Sequence, residues 1–516
     1  MQPSIAYQSG LLTQRHPLRP IAIALSLCLA GAGLTSCGTA VVNPVSGQTE
    51  RSAMSETEEV AQGKQSHIEV MKEYTALKNP RVQAYVNELG QRLAKQSQRP
   101  NLVWTFTVLD SPEINAFALP GGYVYVTRGI MAYMESEADL AGVVGHEIGH
   151  VTARHGAQRA TRQQNAGFGV LAASVLGAVL ESKGVGGAGQ LLGGVAQNAA
   201  AGYVAKYGRE QELQADGLSA EYLSRINYDP HNMVDVIKVL KNQEQFAADQ
   251  ARAEGRPAPT QNSWLASHPS NDQRLEAITK LSAQFKSNVP YQDEARARYL
   301  QTIDGVGFGE SAEKGLTRGR NFYHEGLGIA ITAAPNWRIQ NEADKITFVD
   351  PERDAGLIIQ LTPASAGNTH EEIIRNLIKP DSGKAERLQY NGLNATRFAG
   401  TQTDKSGQRK NVDLTVVTGP SNNNFLLIHA AKDAATLQRN RPQMLDMETT
   451  FRALTNADRA AAKAWTLKMV GYPRGGFAEL ARLSPLPNAE QQLRLLNGVY
   501  AGGEPKIGQP VKVVVQ

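Results

Sequence analysis

The pentapeptide His146-Glu147-Ile148-Gly149-His150 constrains this chain more than any other stretch. Two imidazoles four residues apart lie about 400° around a helix axis, on one face, and can reach a single Zn²⁺ at roughly 2.0–2.1 Å if the segment is helical. Glu147, next to the first imidazole, is then placed to take a proton from a water activated by the metal instead of ligating it, the general-base arrangement of metal-assisted peptide hydrolysis. The flanking residues support a helix. Leu140, Val143, Val144 and Ile148 give it an apolar side, and Ser136 with Asp139 three residues on forms a capping box at its start.

A catalytic zinc takes a third protein ligand and keeps a fourth position open. His155 does not supply the third through the spacing HExxHxxGxxH, because Ala153 and Gly156 stand where that pattern needs Gly and His. Downstream, Arg209-Glu210-Gln211-Glu212-Leu213-Gln214-Ala215-Asp216 leads into Glu221, Tyr222 and Leu223 at helical spacing. Glu212 and Asp216 share a helix face, so one carboxylate can ligate the metal and the other accept the N–H of a ligating histidine. Glu210, the alternative third ligand, is six residues from Asp216 and lies on a different face.

Upstream, Val82, Tyr85, Val86, Leu89 and Leu93 predict an amphipathic helix, and Trp104–Leu109 and Gly122–Thr127 predict two short strands separated by a turn. Asn115-Ala116-Phe117-Ala118-Leu119-Pro120-Gly121-Gly122, the HExxH segment and Glu212-Leu213-Gln214-Ala215-Asp216 resemble, in order, three signatures of the gluzincin zinc metallopeptidase family of HtpX, BepA and the CAAX prenyl endopeptidases. The similarity spans roughly residues 60–300. It implies an endopeptidase with one zinc per subunit held by His146, His150 and Glu212, with Glu147 as catalytic acid/base and Asp216 behind the ligands. It also implies that Tyr123, Val124, Tyr125 and Val126 form an edge strand on which an extended substrate pairs by β-addition. Trp264-Leu265-Ala266-Ser267-His268-Pro269, followed by Arg274-Leu275, resembles the family's Ser-His-Pro segment. In some soluble relatives a histidine there fills the open zinc position and holds the enzyme latent, so His268 is either such a plug or a surface or capping histidine. Between the second and third signatures, residues 166–202 are rich in Gly and Ala. Their apolar run of about fifteen residues is too short to span a bilayer and reads as a buried or interfacial hairpin. Gly184-Val185-Gly186-Gly187-Ala188-Gly189 matches G-x-G-x-x-G but follows no βαβ pattern, so no nucleotide is expected.

Residues 1–36 read as a secretory signal, with Arg15 and Arg19 ahead of the apolar stretch Ile21–Leu34. Leu34-Thr35-Ser36-Cys37 resembles the lipobox of bacterial lipoproteins and implies lipidation of Cys37. Gly38, in place of Asp, implies an address at the periplasmic face of the outer membrane, reached through the lipid anchor. Residues 37–58 are polar, without helical periodicity, and read as a tether. The formal charge of +4, from 53 Lys+Arg against 49 Asp+Glu, includes the two arginines of the signal, and no nucleic-acid partner is expected. Of two cysteines, Cys28 leaves with the signal and Cys37 is acylated, which excludes a disulfide framework.

After the peptidase segment, residues 59–300, glycines at 305, 307, 309, 315 and 319 mark 301–320 as a linker. Residues 321–455 carry strand-like runs at Ile329–Thr332, Ile346–Val349, Leu357–Leu361, Leu414–Val417 and Phe425–His429 and a helix near Glu371–Ile378. They predict an α/β domain with one antiparallel sheet, similar to PsbP-like domains, in which the isolated His324 and His429 are structural. Residues 456–516 have a β-α-α-β order with Leu495-Leu496-Asn497-Gly498 and Gly508-Gln509, which resembles a LysM module. Gly475-Gly476-Phe477 stands where the family has Gly-Asp-Thr. The expectation is therefore an α+β multidomain protein: a mostly helical zincin-type core with a small edge sheet, then the PsbP-like domain, then the LysM-like module. Its expected substrates are unfolded or misassembled cell-envelope proteins. Alternative readings are a chaperone-like assembly factor for outer-membrane proteins with latent proteolysis, and an envelope protein that binds peptidoglycan through the C-terminal module.

Overall fold

The computed structural model describes residues 39–162, 208–253, 255, 268, 272–285, 295–342, 345–403 and 407–516. The signal segment, Cys37 and the Gly/Ala-rich 166–202 lie outside the described residues. The chain divides into two compact units, whose described residues are 39–62 with 153–162, and 63–152 with those from 208 onward.

In the first unit, residues expected to be a tether are ordered. Strands β1 (Thr39–Val42) and β2 (Thr49–Ser52) form an antiparallel hairpin. Its turn is built by Asn43, whose Oδ1 accepts from the N–H groups of Val45 and Ser46 at 2.9 and 3.1 Å. A buried ion pair, Arg154 Nε to Glu59 Oε2 at 2.7 Å, belongs to the same unit. Helix α1 (Glu56–Glu73) follows the hairpin in sequence.

The second unit is organised around α4 (Glu137–Thr152), every residue of which is buried. Its start is the expected capping box: Asp139 N–H donates to Ser136 Oγ at 3.1 Å, and Ser136 N–H to Asp139 Oδ2 at 3.2 Å. Helix α2 (Pro80–Ala94) begins with Asn79 capping Val82 N–H and Pro80 at its first turn, and buries Val82, Val86, Leu89 and Leu93 at helical spacing. A three-stranded sheet in the order β3-β5-β4 covers part of this core: β3 (Thr105–Leu109), β4 (Ala116–Leu119) and β5 (Tyr123–Thr127). The segment between the two expected strands is therefore a third strand. A short helix α3 (Arg128–Tyr133), capped by Thr127, joins the sheet to α4. Helices α5 (Arg209–Arg225), α6 (Asn232–Ala253), α7 (Asp272–Ser282) and α8 (Arg296–Ile303) follow.

Two glycines on α4 set how closely α5 packs. A Cβ at Gly145 would lie 2.8 Å from Ser219 Oγ, and one at Gly149 would lie 3.2 Å from Ala215 Cα. The α4 backbone meets the Ser219 side chain at Gly145 and the Ala215 backbone at Gly149, which brings Glu212 and Asp216 up to His146 and His150.

Residues 301–320 are not a free linker. They supply the last turn of α8, then β6 (Gly307–Phe308) and β7 (Leu316–Arg318), and Ile303, Val306 and Leu316 are buried. The α/β part has two antiparallel sheets where one was expected. The four-stranded sheet runs β17-β9-β8-β7 and the seven-stranded sheet β10-β11-β12-β16-β15-β14-β13. The strands are β8 (Asn321–His324), β9 (Ile329–Thr332), β10 (Arg338–Asn341), β11 (Lys345–Val349), β12 (Ala355–Leu361), β13 (Ser382–Tyr390), β14 (Leu393–Thr403), β15 (Arg409–Thr418), β16 (Asn424–Ala431) and β17 (Arg452–Ala453). The expected helix is α9 (His370–Ile373), extended by a wider turn over Ile374–Ile378. A second helix, α10 (Ala434–Thr449), packs on β12 and β16 and closes a core that includes Phe348, Leu357, Phe425, Leu427, Met444 and Phe451. His429 is partnered, not isolated: its Nε2 lies 2.8 Å from Glu448 Oε1 and its Nδ1 3.5 Å from Asp413 Oδ2. His324 makes a local contact, its Nδ1 accepting from Leu327 N–H at 3.2 Å.

After α11 (Asn456–Ala461) the chain ends in the expected β-α-α-β order: β18 (Trp465–Gly471), α12 (Gly476–Ala481), α13 (Ala489–Leu496) and β19 (Pro510–Val515). Strand β18 pairs antiparallel with β19 and with β6. Among the described residues no helix is long and apolar enough to cross a membrane.

Candidate metal centre

Helix α4 presents His146 and His150 on one face, α5 presents Glu212 and Asp216, and His268 completes a group buried to within 2% of full enclosure. His146 Nε2 lies 3.0 Å from His150 Nε2 and 3.1 Å from His268 Nδ1. Glu212 Oε1 lies 3.0 Å from His268 Nδ1 and 3.5 Å from His150 Nε2, and Glu212 Oε2 lies 3.5 Å from His146 Nε2. One donor atom from each of the four residues falls within 4.8 Å of all the others. A tetrahedral ion with bonds of roughly 2.0–2.1 Å holds its donors about 3.3 Å apart, so this set has the spacing and the nitrogen–oxygen chemistry to hold a metal ion such as zinc.

The charge around the cluster fits a cation as well. Three carboxyl groups, Glu147, Glu212 and Asp216, are buried with one guanidinium, Arg274. Burial works against ionising Glu212, yet His268, His146 and His150 hold its carboxyl far below the ordinary range. Burial likewise opposes the Asp216 charge, and Arg274 and His146 outweigh it. The same carboxylates overcome the burial of His146 and push its pKa up to about 9. A dication bound among these donors supplies the positive charge that the carboxylates here draw from imidazoles.

Asp216 Oδ1 lies 2.9 Å from His146 Nδ1, the geometry that fixes the ring with Nε2 aimed into the cluster. Glu147 does not join the donor set; its Oε1 lies 3.6 Å from His268 Nε2. Glu210 is exposed and His155, though buried, is not among the four.

Arg274 was legible in the sequence only as a neighbour of the Ser-His-Pro segment. On α7 it grips Asp216 with two bonds, Nε to Oδ2 at 2.6 Å and Nη2 to Oδ1 at 2.7 Å. Its Nη1 reaches Glu212 Oε2 and the His268 carbonyl, each at 3.1 Å. Two carboxylates on a buried helix face demand a cation, and Arg274 and Lys280 are the only basic residues between His268 and Ser282. Lys280 is exposed and pairs with Glu276.

The expected edge strand is corrected. Tyr123–Val126 lies in β5, the middle of the sheet, paired parallel to β3 and antiparallel to β4, so both sides of its backbone are taken. Strand β4 is the edge that packs against α4. Thr127 N–H donates to Asn115 O at 3.0 Å, which sets the alternation. Phe117 and Leu119 then bond to β5, while Ala116 and Ala118 turn their N–H and C=O groups outward. No described strand pairs with that side.

Residues 80–282 match the model of Peptidase family M48. The chain is similar to the beta-barrel assembly-enhancing protease of Escherichia coli (strain K12), 29% identical over 232 residues that cover 43% of this chain and 44% of that protein. The Yersinia pestis protein of the same name is 29% identical over 226 residues, 43% of each chain. The mitochondrial metalloendopeptidase OMA1 of Arabidopsis thaliana is 25% identical over 205 residues, 40% of this chain and 37% of that one. The chain thus spans less than half the length of the curated relatives it matches. Among solved structures, cyanobacterial PsbP from Synechocystis sp. PCC 6803 aligns with 28% of this chain and 98% of its own at 11% identity. Its TM-score of 0.22 carries no argument about the α/β part. The HExxH helix and the acidic α5 both lie inside the matched segment, so the likeness of this chain to peptidase family M48 rests on the residues that build the metal centre.

Proposed function

We propose that this chain is a zinc-dependent endopeptidase in which His146, His150 and Glu212 hold one Zn²⁺ and His268 fills the fourth position at rest. The observation that carries the reading is the convergence of those four donors beside Glu147. When bound, zinc supplies Lewis acidity, polarising the scissile carbonyl and making a water acidic near neutral pH. Glu147 takes the proton of the attacking water and returns it to the leaving amine. Asp216 holds the His146 ring, and Arg274 holds Asp216. The substrate backbone pairs with the outward groups of Ala116 and Ala118 on β4, in place of the strand expected from sequence.

The substrate class we propose is misfolded or misassembled envelope protein, supported by the similarity to proteins named for β-barrel assembly. The lipobox-like Leu34-Thr35-Ser36-Cys37 supports anchoring through Cys37 at the periplasmic face of the outer membrane. A second reading, an assembly factor whose proteolysis is latent, is favoured by the placement of His268 in the donor set. Glu147→Gln tests both. It should retain one zinc per chain and lose cleavage of an unfolded protein by at least about 10²-fold. Undiminished chelator-sensitive cleavage by that variant would falsify the assignment of Glu147. Full restoration of envelope integrity by the same variant in cells would favour the assembly factor.

A further inference from the structure

A lysine ammonium shut away from water needs its protons accepted. Lys512, on β19 of the C-terminal module, is 0% exposed. Its Nζ donates to the carbonyls of Ala132 and Met134 at 2.9 and 2.7 Å and lies 2.7 Å from Glu135 Oε1. The module itself fixes the backbone behind that side chain. Lys512 N–H donates to Asn497 Oδ1 at 2.7 Å, and Asn497 Nδ2 donates to Lys512 O at 2.8 Å. The accepting residues end α3 and form the short turn into α4. Two carbonyls that α3 leaves without helical partners are thus satisfied from the far end of the chain.

The same turn is held from a second side. Arg296 on α8 donates to Glu135 Oε2 at 2.9 Å and to Pro510 O at 3.2 Å, tying β19 to the turn. Glu137, the first residue of α4, accepts from Tyr85 at 2.6 Å and Arg92 at 3.1 Å, and from Arg298 and Tyr228. The module has another foothold on α6. There Tyr500 OH donates to Asp249 Oδ2 at 2.7 Å, Gln250 Nε2 to Gln491 Oε1 at 3.0 Å, and the Tyr500 ring meets Phe246 edge-on at 5.7 Å.

We propose that the C-terminal β-α-α-β module is a fixed bracket of the peptidase, with Lys512 as a positioning residue that locks the turn leading into α4, the helix that carries His146, Glu147 and His150. The inference rests on the reading of α4 as the catalytic helix, but its first readout needs no activity. In the full-length zinc-loaded chain, Lys512→Met should speed amide hydrogen exchange across residues 132–140 by at least about tenfold, while β18 and the α10 core stay protected. The turnover number should fall about tenfold with KM within about twofold, because α4 is displaced and the substrate strand β4 is not. Glu135→Gln, which leaves the lysine its carbonyls, should shift the same segment less, and it serves if Lys512→Met does not fold. Unchanged exchange over 132–140 in either folded variant overturns the bracket, whether or not the protein cleaves anything. Faster exchange with an unchanged turnover number overturns the positioning role. Absence of cleavage by the wild type removes the peptidase reading and leaves the exchange result to decide the bracket.

Discussion

Replacing Arg274 with methionine removes one guanidinium and little else, because methionine retains much of the arginine stem's apolar bulk. The guanidinium sits 2% exposed between two bonds to Asp216, at 2.6 and 2.7 Å, and a contact to Glu212 at 3.1 Å. Its loss leaves two carboxylates buried without their cation, a change that costs about 3–5 kcal/mol when one partner of a buried pair is deleted. Asp216→Asn removes the charge from the other side, so the double variant should be less damaged than the sum of the singles, by about 2–3 kcal/mol. The chain has several folded parts, so the right assay is local: native-state hydrogen exchange of buried amides in α4 and α5, read as opening free energies for the two singles and the double. Arg274→Lys should recover only part of the loss, since an ammonium cannot make the two parallel bonds to Asp216 and still reach Glu212. A loss below about 1 kcal/mol in Arg274→Met, or a double variant equal to the sum of the singles, would refute the claim that this guanidinium balances the buried acids.

Three further outcomes follow from separate parts of the molecule. His268→Ala should raise cleavage of an unfolded protein about tenfold or more while zinc stays bound through the other three donors; equal activity would remove the plug. Ala118→Pro deletes an outward N–H that no ladder uses, and should lower kcat/KM for peptides by roughly tenfold, the worth of about one hydrogen bond, with the fold intact. An unaltered kcat/KM would place the substrate elsewhere. In the α/β part, burial opposes a charge on His429, but Asp413 and Glu448 outweigh it and raise its pKa. A raised histidine contributes stability in full below its unfolded value of 6.5 and loses it as pH climbs through the folded value. Exchange protection of β15 and β16 should therefore weaken from pH 6 to 9, with a slope of at most about 1.4 kcal/mol per pH unit, and His429→Gln should flatten that trend. A flat profile in the wild type would contradict the assignment.

The parts legible in the sequence are those whose partners lie within one helical turn. The Ser136–Asp139 cap, the His146–His150 face and the Glu212–Asp216 pair are each fixed by local spacing, so reading them needs no knowledge of the fold. Arg274 was illegible because its meaning comes from an approach between α5 and α7 that nothing local encodes. Strand β4 was missed because Ala-Phe-Ala-Leu has weak strand preference of its own and is extended only because β5 pairs with it. The edge position of Tyr123–Val126 was implied by the family resemblance, and the pairing of β5 with both β3 and β4 overturns it. The glycines of 301–320 suggested a free linker, yet Gly307–Phe308 becomes a strand against Trp465 and Thr466, far along the chain. Helix α10 hid for another reason. Its buried face includes Thr436, Asn440 and Glu448 among the methionines, and Pro442 lies inside it, so the apolar period that announces a helix is absent. Glu448 is buried there because Tyr390, Thr415 and His429 meet it, a reason visible only in three dimensions.

The same residue type carries more than one task at the proposed plug, and this bears on how such a site opens. His268 places Nδ1 among the metal donors, brings Nε2 to 3.6 Å from Glu147 and lends its carbonyl to Arg274. On the proposed reading these are three restraints on catalysis held by one side chain and its backbone. The ring would occupy the position a substrate carbonyl or water needs and would crowd the general base, and its carbonyl accepts from the cation that steadies Asp216. Withdrawal of His268 would thus release the coordination position and the base in one movement, while Arg274 keeps its two bonds to Asp216. A partial opening that freed only the metal would leave Glu147 obstructed. On that reading the opening would be two-state, not graded, and activity should rise in proportion to the fraction of molecules in which His268 has left the site.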